Sequence, residues 1–182
     1  MEEGDLIFRS KGGDLDAFNR LVERYQREVY NLALRMLSNA PAAEDATQEA
    51  LFSAFKGVGR FRGGNFRVWL LRIVANTCRD HLRSWRRRPA TSLDALVLEP
   101  DRHAPSPEDY ALRRELGEEI GKALVALPAD QRLAVILYDI QGLSYEEIAQ
   151  VMNSSLGTVK SRLSRGRARL RQIMAQYMEP LP

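Results

Sequence analysis

Apolar residues recur at helical spacing along most of this chain. Phe18, Leu21, Val22, Tyr25, Val29, Leu32, Ala33 and Met36 predict one amphipathic helix, with Asp14 or Asp16 as its cap. Ser38-Asn39-Ala40-Pro41 breaks that run, and a second helix from about Ala42 is expected to bury Ala43, Ala50, Leu51, Ala54 and Phe55. Gly57, Gly59, Gly63 and Gly64 mark a loop region. A third run, Val68 to about Trp85, is apolar on one side through Leu70, Leu71, Ile73, Val74 and Leu82. Helical signal returns near Tyr110 with Leu112, Leu116, Ile120, Ala123, Leu124 and Leu127, and Pro128 opens a helix carrying Leu133, Ile136, Leu137 and Ile140. Extended alternating segments bounded by turns do not occur, so no sheet is expected.

The most specific stretch is Gly142 to Arg171. Ser144 with Glu147 three positions on is a capping box, in which each side chain satisfies the other's backbone amide. Gly142 is free to take positive φ and end the preceding helix. Ile148, Ala149 and Met152 keep helical spacing; Asn153-Ser154-Ser155 then supplies a turn, with Ser155 placed to cap the next helix. In that helix Leu156, Val159, Leu163 and Leu170 fall on one side, and Thr158, Ser161, Arg162, Arg165 and Arg169 on another. Its six basic residues, Lys160, Arg162, Arg165, Arg167, Arg169 and Arg171, are joined by no acidic one. Ordinary solvated helices mix signs, because opposite charges at i,i+4 stabilise them. Two short helices, a tight turn and a basic second helix are what the DNA major groove accepts.

Charge distribution extends this picture. The net charge is +3 and the pI about 9.2, but arginines cluster at Arg79–Arg88 and Lys160–Arg171, while Asp94, Glu99, Asp101, Glu108 and Asp109 face one arginine, Arg102. Two basic surfaces separated by an acidic strip suggest bipartite contact with nucleic acid. Residues 89–107 hold four of the eight prolines and few large apolar groups, a composition for a linker and not a core. The expected fold is therefore all-α, with two helical domains joined by a flexible linker: 1–88, an acidic Pro-rich linker at 89–109, and 110–182.

Several chemistries are excluded. One cysteine, Cys78, rules out an internal disulfide and a cysteine-rich metal centre, and its apolar helical surroundings suit a small buried hydrophobe. His81 and His103 do not make a zinc site, so neither metal nor cofactor is expected. No nucleophile–base pair or phosphate loop is evident, so no catalytic residues are assigned. MEEGDLIF lacks the basic and apolar regions of a signal peptide, and no run of about 20 apolar residues occurs. A cytoplasmic protein without membrane insertion is expected.

Two further surfaces stay open on composition alone. Glu44, Asp45, Gln48 and Glu49 form a compact acidic stripe, either a solvated face well placed for the helix dipole or a dock for a basic partner. Arg72, Asn76, Arg79, Asp80 and Arg83 share one side of the third helix. Beside them Phe61, Phe66 and Trp69 interleave with Arg60, Arg62 and Arg67, a mixture suited to single-stranded nucleic acid. Core packing is the competing reading for at least one of those aromatics.

AFNRLVERYQREVYNLALRML, AEDATQEALFSAFKGVGRFRG, WLLRIVANTCRDHLR, LPADQRLAVILYDIQGLSYEEIAQVM and GTVKSRLSRGRARLR follow one another in order. Together they resemble a bacterial extracytoplasmic-function (ECF) sigma factor of the sigma-70 family, RpoE-like, across nearly the whole chain outside the linker and ends. The resemblance implies an alternative sigma factor that binds core RNA polymerase and directs promoter-specific initiation, with no catalysis of its own. It implies that Glu44, Asp45, Gln48, Glu49 and Phe52 contact the clamp helices of the polymerase β′ subunit, with secondary contacts to the β subunit from the C-terminal domain. It implies −10 contacts, duplex and single-stranded, by Arg62, Asn65, Phe66, Trp69, Arg72, Asn76, Arg79, Asp80 and Arg83. The −35 element would be met by Ser155, Gly157, Thr158, Lys160, Ser161, Arg162, Ser164, Arg165 and Arg169. An anti-sigma factor is a further implied partner, and the acidic linker would run through the polymerase. Two departures stand out. FRGGNFRVWL is one residue shorter between its first phenylalanine and its tryptophan than the usual pattern, with Gly64 where an acidic residue is common, which makes Asn65 a candidate base contact. Ser154 stands where a small apolar residue is common. The alternatives are a stand-alone helix-turn-helix regulator and an interaction adaptor of the same fold.

Overall fold

A computed structural model describes residues 2–87 and 117–178. The expected linker, 89–109, and the start of the C-terminal unit at 110 lie outside the described residues. Among those described, the secondary structure is helical throughout and no strand occurs; none of these helices is long and apolar enough to cross a membrane.

Helix α1 (Glu3–Lys11) has acidic residues in its first turn and basic ones in its last, complementing the helix dipole, and buries Leu6 and Ser10. The periodicity did not predict it, because one buried leucine leaves too little pattern. Gly13, at φ 90°, turns the chain, and Asp14 then has two tasks. Its Oδ1 accepts from the Ala17 amide at 2.9 Å, capping α2 (Leu15–Leu37), and its Oδ2 takes the Arg9 guanidinium at 2.6 Å. The α2 amphipathic face buries Phe18, Leu21, Val29, Leu32, Ala33 and Met36. Asn39 caps α3 (Ala40–Gly57), its Oδ1 accepting from Ala42 at 2.8 Å. Ala43, Ala46, Ala50 and Ala54 make the buried face of α3, so α2 and α3 approach over small side chains. Leu51 and Phe55, expected as core, are only half-buried; the alanine stripe sets the contact line and leaves them at its edge.

A 3-10 turn (Val58–Arg60) and the glycine loop lead into α4 (Phe66–Arg87). Cys78 is buried on α4, where desolvation pushes its thiol pKa up to about 12 and leaves it unreactive.

Among the described residues the C-terminal unit comprises α5 (117–125), α6 (Ala129–Val135), a wide π-type turn (Ile136–Ile140), α7 (Tyr145–Met152) and α8 (Leu156–Met178). The π-type turn is closed by Gln141 N–H donating to the Ile136 carbonyl at 3.0 Å and Leu143 N–H to that of Leu137 at 2.9 Å. The extra residue in that turn rotates Ile140, expected as core, out to 41% exposure. Gly142 at φ 69° then redirects the chain into α7.

Buried residues of both units form one continuous cluster, and α4 packs against α7. Arg132 is the buried polar group at this junction. Its guanidinium donates to the Met36 carbonyl near the end of α2, and to the carbonyls of Val125 (2.7 Å) and Leu127 (3.3 Å) at the end of α5. Burial pushes its pKa down to about 10.

Helices α6 and α8 meet at Gly166, where a Cβ would lie 2.8 Å from Val135 Cγ2 and 3.1 Å from the Gln131 carbonyl. The absent side chain lets the two helices touch. Gly166→Ala should therefore destabilise the protein by about 1–3 kcal/mol through overpacking, despite alanine's higher helix propensity. Thermal denaturation followed by circular dichroism checks this; an unchanged or raised midpoint would contradict it.

Candidate nucleic-acid interface

The helix-turn-helix forms as its local signals dictate. Ser144 Oγ accepts from the Glu147 amide at 3.2 Å and Glu147 Oε2 accepts from the Ser144 amide at 2.9 Å, completing the capping box. Asn153, at φ 48°, ends α7 in the left-handed conformation. Ser155 Oγ accepts from the Thr158 amide at 3.2 Å and so caps α8. The Ser154 hydroxyl is buried without a partner, which matches its unusual place in the turn.

On α8, Val159, Leu163 and Gly166 face the core. Ser155, Gly157, Lys160, Ser164, Arg165 and Arg169 are exposed, while Thr158, Ser161 and Arg162 are half-buried. Leu156, expected on the apolar side, is 41% exposed at the tip of the helix; its neighbour Gly157 has only Ser155 Oγ within 4 Å of a hypothetical Cβ. Nothing inside the protein demands a glycine there. A glycine in the first turn of a helix lets the backbone amides beside it come close to a phosphate.

The second basic surface lies on the loop before α4 and on α4 itself. Arg62, Asn65, Arg72, Asn76, Asp80 and Arg83 are exposed, with Asp80 and Arg83 paired. Phe66, expected among the −10 contacts, is fully buried. Its ring lies 5.9 Å from Tyr25, 5.6 Å from Phe61 and 5.2 Å from Trp69. It belongs to the core, and a base does not reach it in this conformation. Trp69, half-buried and tilted against Phe61 with ring centroids 5.3 Å apart, is the aromatic of the set that borders solvent. Trp69, Arg60, Arg62 and Arg72 line one wall of an open cleft of about 740 Å³, and Gln150 and Asn153 line the other. Periodicity did not separate Phe66 from Trp69, since both fall on overlapping faces of α4. The packing of α2 decides between them.

Asn65 Oδ1 accepts from the Val68 amide at 3.3 Å in the first turn of α4, and its amide donates to Glu147 Oε1 at 3.0 Å. Arg79 donates to Asp130 Oδ1 at 2.9 Å, and Arg162 reaches Asp130 Oδ2 at 2.8 Å. Arg67 pairs with Glu28, a hydrogen bond that raises its pKa, and also donates to the Gln141 carbonyl at 2.7 Å. Glu28, Arg67, Asp130 and Glu147 carried no sequence signal of this role, because each contact joins elements distant along the chain.

The acidic stripe of α3 is present as a surface. Glu44, Asp45, Gln48, Glu49 and Phe52 are all exposed, and Phe52 is 59% exposed with Lys56 Nζ 4.1 Å above its ring. His81 on α4 lies 3.0 Å from Glu49.

Two helical units, one carrying a capped helix-turn-helix with a basic exposed face, are an arrangement suited to binding duplex DNA. Residues 21–88 match Sigma-70 region 2 and residues 117–170 match Sigma-70, region 4. The chain is 40% identical to the RNA polymerase sigma-H factor of Pseudomonas aeruginosa, over 91% of this chain and 90% of that one. It is 38% identical to the ECF RNA polymerase sigma-E factor of Escherichia coli K12, over 89% and 88%. Among solved structures, the sigma factor RpoE in complex with the anti-sigma factor NepR from Bartonella quintana superposes with TM-score 0.70 at 28% identity, covering 88% of this chain and 98% of that one. CnrH in complex with the cytosolic domain of CnrY does so with TM-score 0.71 at 26% identity, covering 94% and 96%.

The chain belongs to the ECF sigma factors of the sigma-70 family. It is accordingly an alternative sigma factor, a non-enzymatic subunit that directs core RNA polymerase to promoters.

The division of aromatics gives a paired prediction. Phe66→Ala should cost about 3–5 kcal/mol of folding stability, read by urea denaturation. Arg72→Ala should stay within about 0.5 kcal/mol of the parent. Equal losses would contradict the assignment of Phe66 to the core and Arg72 to the surface.

Proposed function

We propose that three exposed surfaces divide the work of initiation. Glu44, Asp45, Gln48, Glu49 and Phe52 on α3 dock to the β′ clamp helices of core polymerase, with secondary contacts from the C-terminal unit to the β subunit. Arg62, Asn65, Trp69, Arg72, Asn76, Arg79, Asp80 and Arg83 open and hold the −10 element. The exposed row of α8, led by Lys160, Ser164, Arg165 and Arg169, reads the −35 element in the major groove. The observation that carries the docking surface is Phe52: a large apolar ring left 59% exposed among acidic and polar neighbours is unfavourable in water and suits a partner that covers it.

Promoter opening in this scheme draws on binding energy. Stacking on Trp69 and phosphate contacts offset the few kcal/mol needed to unstack and extrude a base. The chain acts in the cytoplasm, where its polymerase is, in a stress-response role of the sigma-E kind. Because the similar RpoE structure holds an anti-sigma factor, a regulator of that class is the further partner we assign here. The domain limits 1–88 and 110–182 go with this scheme.

Multi-round transcription with bacterial core polymerase and a genomic fragment library tests it. New start sites that depend on the protein are expected, and aligning them yields both promoter elements. Phe52→Ala should weaken binding to core by about 2 kcal/mol, roughly thirty-fold, with duplex affinity unchanged. Full transcription by that variant at limiting core would remove α3 from the docking role. Arg165→Ala should cost about 1–3 kcal/mol at one −35 base position. Uniform weakening over all sequences would reassign Arg165 to phosphate. A variant that keeps full promoter activity would instead favour an adaptor, and tight duplex binding without polymerase a stand-alone regulator.

A further inference from the structure

Asp130 holds one arginine from each promoter-reading surface. Its Oδ1 takes Arg79 of α4 at 2.9 Å and its Oδ2 takes Arg162 of α8 at 2.8 Å. A carboxylate with its two oxygens divided between two guanidiniums offers them the charge and the acceptor geometry that a DNA phosphate would offer. Asp130 and a phosphate therefore compete for the same donors. The Arg162 arm joins α6 to α8 inside the C-terminal unit, so it survives separation of the two units. The Arg79 arm spans them and does not.

A second contact acts in the same sense. Asn65, in the −10 loop, is hydrogen-bonded to Glu147 at 3.0 Å, so this loop touches the first helix of the helix-turn-helix. The two promoter elements are named 25 positions apart, about 85 Å of duplex at ~3.4 Å per pair. Surfaces within hydrogen-bond distance of each other do not span that interval.

We infer that Asp130 is an intramolecular latch, a carboxylate that occupies the phosphate-binding arginines and holds the free sigma factor in a closed arrangement unable to engage both promoter elements. This rests on the reading of Arg79 and Arg162 as DNA contacts. The latch is poised and not locked. Asp130 is 43% exposed, so solvent screens its charge, and Arg79 Nε is buried with no acceptor. Closing thus leaves an unmade hydrogen bond that opening restores to water. Polymerase or DNA needs only to offer Arg79 a better anion.

The full-length chain tests this with spin labels on Gln26→Cys and Gln172→Cys, exposed positions outside the reading surfaces; buried Cys78 stays unlabelled. Electron–electron distance measurements should give one short separation for the parent. Asp130→Asn should add longer separations, and Arg79→Gln, which breaks only the interdomain arm, should do the same. Binding of a fluorescein-labelled forked duplex of mixed sequence, read by anisotropy without polymerase, should tighten about five-fold in Asp130→Asn. Unchanged distances in both variants would overturn the latch, as would longer distances without any gain in DNA affinity. The sigma assignment fails separately, if parent and variant alike give no transcript with core polymerase. The distance measurement judges the latch in either event.

Discussion

Arg132 sets the terms on which the two helical units meet. Its guanidinium is buried and takes carbonyls from the ends of α2 and α5, which lack intrahelical partners. One side chain thereby closes a helix terminus in each unit and fixes the angle at which they join. The fit is incomplete: Arg132 Nε has no acceptor among the described residues, and burial, with a smaller push from Arg86, depresses its pKa. A joint of this kind favours one geometry strongly without binding it tightly.

The same division of labour explains how a helix as basic as α8 stays folded. It has no acidic residue of its own to relieve repulsion between neighbouring arginines. Relief comes from outside: Asp139 in the π-type turn pairs with Arg167, and Asp130 on α6 pairs with Arg162. Arg167 also lies 4.8 Å over the Tyr138 ring, itself stacked on Tyr145 at 5.0 Å. The acids meet α8 along its half-buried edge, at Arg162 and Arg167, so the exposed Lys160, Arg165 and Arg169 keep their charge for an anionic partner. Electrostatics and packing are thus solved by the same neighbours.

Local signals were legible because they are short-range. Asp14, Asn39, Ser144 and Asn153 cap or end helices where their chemistry allows little else, and the sequence order of the region 2 and region 4 motifs carried the family. Long-range facts were not legible. The assignment of Phe66 to the core and Trp69 to the rim depends on where α2 lies, and the contacts of Asp130 depend on where α4 and α8 lie. Leu156 and Ile140 were misplaced for a related reason. Periodicity assigns faces on a regular helix, and these residues sit at a helix tip and in a widened turn.

That widened turn also acts as a phase element. In a regular helix one residue advances the chain by about 100°, so the additional residue accommodated between Ile136 and Ile140 sets the rotational offset at which Gln141 and Gly142 deliver the chain to α7. The offset brings the Gln141 side-chain amide to the Glu28 carbonyl at 3.2 Å and the Gln141 backbone carbonyl to Arg67, so the helix-turn-helix is indexed against the N-terminal unit by chain length as well as by side chains. A substitution within Ile136–Ile140 would alter packing, whereas a single-residue deletion would turn the recognition helix like a dial moved by one notch.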